Sequence, residues 1–420
     1  MPAVRLPAET YYVSVDKSVV QGAMAKIEER FRDLLENGAQ ANGLPEGCYA
    51  AGQYLIPDSI DQRGLYGTSA ALLALARSAP SPSRIRLIEG INRYIVGRRK
   101  IEIALVRSEE ATSALTTRLA VEWRTAFKCA ELLYALSAAP AAAVGREELL
   151  NKVLGTIREA RFATGGWAAD LDLRQKVDPL ATASIVRALN AAGIPVDATD
   201  LELVRRHAYD ERNVTGYVRV FCLLVLLEID GRDEELDRLW KKLLDELTPG
   251  LRERTEANYE FTLSNHYHYV RVPWQLYLLS CAALISPLKI IFNRHIRTVL
   301  LDGIAAVNST EGFVYASSGH MRSTRTYGIL MDTLWRVDQT LGTSRYLAPL
   351  SALANWSIRV LYSRITTWFA LSAAVVVGGL SLWSWLFDEQ TRPLSAVGPN
   401  LFTSGLLAVV GLLLRRLRRR

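Results

Sequence analysis

Residues 164–193 read TGGWAADLDLRQKVDPLATASIVRALNAAG. The two glycines suit a tight turn. The loop after Trp167 carries Asp170, Asp172 and Asp178, and Ala181-Thr182-Ala183 opens a helix. Looser copies of this unit lie on either side: Gly64-Leu65-Tyr66-Gly67-Thr68 runs into SAALLALA, and Glu311-Gly312-Phe313 precedes a helix near Thr324 to Leu334. Thr68 to Thr125 and Thr125 to Thr182 are each 57 residues, and Val272 to Thr324 is 52. A period of that length is one two-helix unit with its loops, the signature of a helical repeat protein.

The helices alternate in character. Val19 to Leu35 sets its apolar positions on one face, with Gly38 where a C-cap belongs. SAALLALA is apolar on nearly every side, and after the linker APSPSR a more polar helix is marked by Ile85, Ile88 and Ile91. Arg124 to Ala139 and Arg146 to Ala160 repeat that pair, and Ala181 to Ala192 follows the Gly-Gly-Trp turn. YVRVFCLLVLLEI, 217–229, is apolar almost all round, whereas DEELDRLWKKLLDEL, 233–247, places Leu236, Leu239, Trp240, Leu243, Leu244 and Leu247 on one stripe. Val272 to Ile285, closed by Ser286-Pro287, is another all-round apolar helix. Such a helix followed by an amphipathic one implies an inner helix backed by an outer one. With no run of alternating strands, the chain is expected to be all-α. About six helical hairpins can close into an α/α toroid with the inner helices around a cavity.

Half the residues are apolar and 22% are charged, which fits a large core. The net charge of +7 owes five units to Arg415, Arg416, Arg418, Arg419 and Arg420, and removing them leaves +2. Basic character therefore belongs to the tail, and no nucleic-acid partner is expected. Cys48, Cys129, Cys222 and Cys281 form no CxxC pair, and MPAVRLPAETYY at the N-terminus has no apolar signal region. A reduced, cytosol-facing body is expected.

The GGW turn, the Asp-bearing loop and ATASIVRALNAAG resemble a repeat of the terpenoid cyclase and protein prenyltransferase superfamily, whose fold is an α/α toroid. EGFVYASSGH echoes it, and the likeness covers residues 60 to 345. For class II terpene cyclases the resemblance implies a DxDD cluster just before Thr-Ala, because one carboxyl must stay protonated while its neighbours hold it. Here those four positions are Asp178, Pro179, Leu180 and Ala181, so Asp170, Asp172 and Asp178 are catalytic candidates only if the chain is an enzyme. Loop carboxylates at a helix start otherwise act as caps. Prenyltransferases imply a zinc site of Asp, Cys and His, but no cysteine here has a DxC context and no cofactor is predicted.

Trp167, His266, Tyr267, His268, Arg271, His320, Arg322 and Arg325 are the candidate ligand-binding residues. His266 and His268 in NHYHY, with Glu256 and Glu260 upstream, are the one local cluster with zinc-like content, and joint ligation is expected only from a loop. Asn265, His266, Tyr267 and Arg271 also resemble the site of toroid polysaccharide lyases, where His or Tyr removes a proton beside a carboxylate. His320, Arg322 and Arg325, with Arg271, offer a basic wall for a diphosphate, since the guanidinium fork fits phosphate. Pairing with rim carboxylates is the competing role.

TTWFALSAAVVVGGLSLWSWLF, 366–387, is 22 residues without a charge, enough at about 1.5 Å per residue to span a hydrocarbon core of ~30 Å. Trp368 at one end and Trp383 and Trp385 at the other fit interfacial aromatics. A second apolar run centred on Leu401 to Leu414 is expected to span at about 398–416, with re-entry as the alternative. Arg359 and Arg364 before the first segment and the arginines after the second place both flanks on the cytoplasmic side. Gly378-Gly379 and Ser404 with Ala408 permit self-association through these helices.

The organisation expected is an N-terminal helical segment, 1–60, a toroid, 61–355, and a membrane anchor, 356–420. The function expected is a membrane-anchored cytosolic toroid, at a bacterial inner membrane, that binds a ligand or protein and relays the event to a two-helix membrane segment. A defence or stress effector is one form of it. The alternatives are an enzyme acting on an isoprenoid or other lipid and, more weakly, a polysaccharide lyase. The unmatched DxDD and zinc patterns weigh against an enzyme.

Overall fold

The computed structural model of the chain describes residues 17–41, 44–52, 65–107, 125–169, 171, 176–248, 260–263, 267–270, 274–308 and 324–342. They belong to one compact unit, Val15–Ala348. The second compact unit, Met1–Ser14 with Pro349–Arg420, holds none of the described residues.

The described residues are mostly helical. In chain order the helices are α1 (Lys17–Ala41), α2 (Leu65–Arg77), α3 (Pro82–Arg107), α4 (Ala126–Ala138), α5 (Arg146–Glu159), α6 (Pro179–Ala191), α7 (Ala198–Tyr209), α8 (Gly216–Ile229), α9 (Glu234–Leu247), α10 (Trp274–Ile285), α11 (Pro287–Phe292), α12 (Arg294–Asn308) and α13 (Thr324–Gly342). Between α9 and α10, strands β1 (Glu260–Leu263) and β2 (Tyr267–Val270) pair antiparallel, with Leu263 opposite Tyr267.

Helix starts follow from local chemistry. Asp178, Asp197 and Asp233 are N-caps whose carboxylates accept from backbone N–H groups of α6, α7 and α9. Pro179 and Pro287 stand in the first turn of α6 and α11, where a missing N–H costs nothing.

Burial sorts the helices into two sets. In α8 every residue from Val218 to Leu227 is buried, and α10 is buried almost as completely. In α9 only the stripe Leu236, Leu239, Trp240, Leu243 and Leu244 is buried. The enclosed helices pack on one another: α2 on α4, α4 on α6, α6 on α8, α8 on α10, α10 on α13, and α13 on α2. The last contact is close, because a Cβ at Gly328 of α13 would stand 2.9 Å from the Cβ of Ala70 in α2. The amphipathic helices back them, α5 on α4, α7 on α6 and α8, α9 on α8 and α10, α12 on α10, and α1 on α13.

The repeat seen as a period is visible as bonding. Thr182, fourth in α6, accepts at Oγ1 from the Trp167 N–H at 3.2 Å and donates to the Trp167 carbonyl at 3.5 Å. Thr68, fourth in α2, makes the same reciprocal pair with Ala51 at 3.3 and 3.2 Å.

The structure differs from the sequence reading at several points. Gly38 lies inside α1 rather than capping it, and α13 continues past Leu334 to Gly342. Helices α7, α11 and α12 were not anticipated. In α7 only Asp200, Val204 and Ala208 are buried, too narrow a stripe to mark a helix by apolar spacing. The β1–β2 hairpin is the departure from all-helix, formed where Phe, Thr, Tyr and Val favour an extended chain. Among the described residues no helix is long and apolar enough to cross a membrane, and segments 366–387 and 398–416 lie outside the described residues.

Candidate functional site

The Gly-Gly-Trp turn holds the backbone in place. Gly165 and Gly166 sit at φ 90° and 79°, and a Cβ on Gly166 would come within 2.8 Å of Val177. The Gly166 N–H donates to Asp200 Oδ1 at 2.7 Å, while Arg161 Nε donates to Asp200 Oδ2 at 2.8 Å. Trp167 is 1% exposed, and its indole N–H donates to the Ile157 carbonyl at 2.7 Å. This ring is a core element and does not line the cavity described below.

A cavity of about 70 Å³, partly open to solvent, lies among the N-terminal halves of the enclosed helices. Tyr134, Tyr217, Phe221, Tyr277, Leu73 and Ile329 form its apolar walls, and Ser69, Ser184, Glu131, Arg187 and Arg325 bring polar groups to it. Apolar walls with a few convergent polar groups are the usual composition of a small-molecule pocket.

Its floor is a buried charge network joining five of those helices. Asp332 of α13 accepts from Arg77 Nε of α2 at 2.8 Å, Arg187 Nη2 of α6 at 3.1 Å and Arg336 Nε at 3.3 Å. Glu228 of α8 accepts from Arg187 Nε at 2.9 Å and from Arg336 Nη2 at 2.6 Å. The Tyr134 hydroxyl of α4 donates to Asp332 at 3.0 Å and accepts from Arg187 and Arg336 at 3.1 and 2.7 Å. The Arg187 guanidinium also stacks 4.2 Å from the centre of the Tyr134 ring.

Three guanidinium groups against two carboxylates leave the floor one positive charge in excess. Burial alone would raise the Asp332 carboxyl, yet Arg336, Arg77 and Arg187 hold it well below the usual carboxylate range. Burial would lower Arg187, but Glu228, Tyr134 and Asp332 raise it well above its ordinary value.

A different pair also lines the cavity. Arg325 Nε of α13 donates to Glu131 Oε1 of α4 at 2.6 Å, with side chains 14% and 19% exposed. Burial pushes the Glu131 carboxyl upward, and Arg325 opposes it without reversing the shift. Burial also raises the Tyr277 hydroxyl to about 12, so it stays protonated.

Of the residues singled out from the sequence, the structure brings Arg325 to the cavity. Asp178 caps α6, its Oδ1 accepting from the Ala181 N–H at 2.7 Å, and burial raises its carboxyl. Asp170, Asp172, His266, Arg271, His320 and Arg322 lie outside the described residues. Tyr267 and His268 are in β2, across from Leu263 and Thr262, and their side chains are not described. Among the described residues no three of His, Cys, Asp and Glu are grouped to hold a metal ion. Cys129, Cys222 and Cys281 are buried core residues, and burial pushes the Cys222 and Cys281 thiols up.

The sequence reading missed Arg77, Glu131, Tyr134, Arg187, Glu228, Asp332 and Arg336. For Arg187 the signal was a charge set singly in the apolar helix α6, which is costly unless that charge finds a partner. The chain matches no family model, no curated protein and no solved structure.

Proposed function

We propose that the chain is an α/α toroid anchored in a membrane by residues 356–420. The toroid and both termini face the cytosol. Its central cavity binds a small ligand or a segment of a protein partner and relays that event to the two-helix membrane segment. The cycle of contacts among α2, α4, α6, α8, α10 and α13 supports the toroid. The uncharged run 366–387 and the terminal arginines support the anchor.

One observation carries the binding role. The cavity combines aromatic walls with Arg187, which Glu228 and Asp332 hold in place from below, a rigid receptor surface. The test uses the full chain. It should remain in the membrane pellet after an alkaline wash, and native mass spectrometry in mild detergent should find one small molecule per chain. A chain released by the wash, or one with an empty cavity, overturns this reading.

A second reading, an enzyme acting on an isoprenoid or other lipid, is favoured by Glu131. A carboxyl held toward its neutral form inside a cavity can deliver a proton. Under it, Glu131→Gln should keep the ligand bound and abolish its conversion, read by mass spectrometry of the extracted ligand.

A further inference from the structure

Two donors that border the cavity have no acceptor among the described residues. Arg187 of α6 commits Nε and Nη2 to Glu228, Asp332 and the Tyr134 hydroxyl, while its Nη1 bonds to none of the described residues. The Tyr277 hydroxyl of α10 likewise has no hydrogen-bond partner among them, its ring meeting Phe221 edge-on at 4.8 Å between centres. Arg187 is 6% and Tyr277 7% exposed, so both side chains are more than nine-tenths buried, yet neither donor atom is sealed within the protein. We propose that the cavity holds a neutral carbonyl compound, its oxygen accepting from Arg187 Nη1 and from the Tyr277 hydroxyl. The inference rests on the binding role proposed above and names its ligand class.

A carbonyl oxygen has two lone pairs and can take both donors at once. The Arg187 guanidinium is ionised, which strengthens the bond that it gives, and Glu228 and Asp332 fix its orientation beforehand. Arg187 acts on the Tyr277 hydroxyl electrostatically, so the two donors belong to one neighbourhood, and burial raises that hydroxyl to about 12, which keeps its proton in place for donation. Leu73, Phe221 and Ile329 supply apolar wall for the atoms bonded to the carbonyl. A space of about 70 Å³ is little more than the share of two waters in the liquid, ~30 Å³ each. It encloses the carbonyl group and its immediate substituents, and a larger body lies toward the open side.

The charges bordering the cavity favour a neutral ligand. Arg187 already faces Glu228 and Asp332, and Glu131 pairs with Arg325. Arg77 and Arg336, which share the excess positive charge of the floor, do not line the cavity. An anion at Arg187 Nη1 and Tyr277 would stand beside Glu131, which acts on Tyr277 and is acted on by Arg187. A neutral acceptor satisfies both donors without adding a charge to a shielded space.

The test titrates the full chain, in a non-ionic detergent with detergent-only blanks, with acetophenone, with its isostere 2-phenylpropene, in which CH2 replaces the oxygen, and with benzoate. Acetophenone is expected to bind at least about ten-fold tighter than 2-phenylpropene and tighter than benzoate. The infrared band of acetophenone labelled with carbon-13 at the carbonyl should fall in frequency on binding, because donors weaken the C=O bond, and this measurement needs no variant. Tyr277→Phe removes a hydroxyl with no partner among the described residues, so the fold should survive; it should weaken acetophenone by about three-fold to ten-fold, return the band part of the way, and leave 2-phenylpropene unchanged. Equal affinity for ketone and alkene, or an unshifted band, overturns the carbonyl assignment and leaves the cavity a ligand site. Benzoate binding tighter than acetophenone overturns the neutral ligand. Binding of none of the three overturns the proposal and counts against the binding role itself.

Discussion

Two carboxylates of the enclosed helices, Asp332 in the buried network and Glu131 in the cavity wall, both face arginine and behave in opposite ways. In the buried network Asp332 meets three arginines and its carboxyl is held down, whereas in the cavity wall Glu131 pairs with Arg325 and its carboxyl is pushed up. The difference is the number of cations for each carboxylate. A buried carboxylate with surplus cations is held ionised, while one with fewer is left closer to what burial alone dictates.

The largest expected effect breaks the floor. Asp332→Ala leaves Arg77, Arg187 and Arg336 facing one another across the centre, and should cost about 3–5 kcal/mol in urea unfolding of the full chain followed by circular dichroism. A loss of under about 1 kcal/mol would show that the network is not what joins these helices.

The next effect sharpens the contrast, because the two carboxylates should respond to pH with opposite sign. The folded value of Asp332 is depressed below 3.8, so its contribution to stability is complete above about pH 5 and is lost as pH falls. Glu131 is raised above 4.5, so the stability associated with its neutral form is present in acid and lost as pH rises through the raised value. Stability measured from about pH 3 to about pH 8 should lose its acid-side slope in Asp332→Asn, and in Glu131→Gln should gain on the parent chain as pH rises. Parallel curves for the two variants would remove the distinction between the two carboxylates.

The smallest effect is Glu131→Gln near neutral pH. Glutamine keeps an oxygen that can accept from Arg325, so the change should cost less than Asp332→Ala, about 1–3 kcal/mol, read in the same urea experiment. A loss as large as that of Asp332→Ala would make the pair a strut.

Much of the architecture is legible in the chain. The 57-residue spacing of Thr68, Thr125 and Thr182 reappears in the matched bonds of Thr68 and Thr182, and the apolar character of 217–229 against 233–247 separates an enclosed helix from a backing one. Helix α7 escaped because a helix buried at three positions leaves almost no apolar period. The charged floor escaped for another reason. Averaging over SIVRAL or LMDTLW hides a lone Arg187 or Asp332, and convergence of residues 145 apart is a property of the packing. The repeat held one clue: Arg77 and Tyr134 each stand nine residues after their anchor threonine, and they meet at 3.2 Å. Asp178 shows the converse, a residue conspicuous in sequence whose carboxylate caps a helix.

The closeness of Gly328 to Ala70 bears on how the molecule is made. This seam joins the two ends of the array, and Thr324 donates to the Gly52 carbonyl across 272 residues of chain. Contacts so remote in sequence carry a large loop-closure entropy and form late. Until the chain beyond Thr324 has left the ribosome, the face of α2 that α13 covers stays open to water, and a nascent protein with such a face is prone to association with its neighbours. Joining the halves at Gly328 thus makes folding nearly all-or-none: α2 waits through most of synthesis for the helix that will cover it.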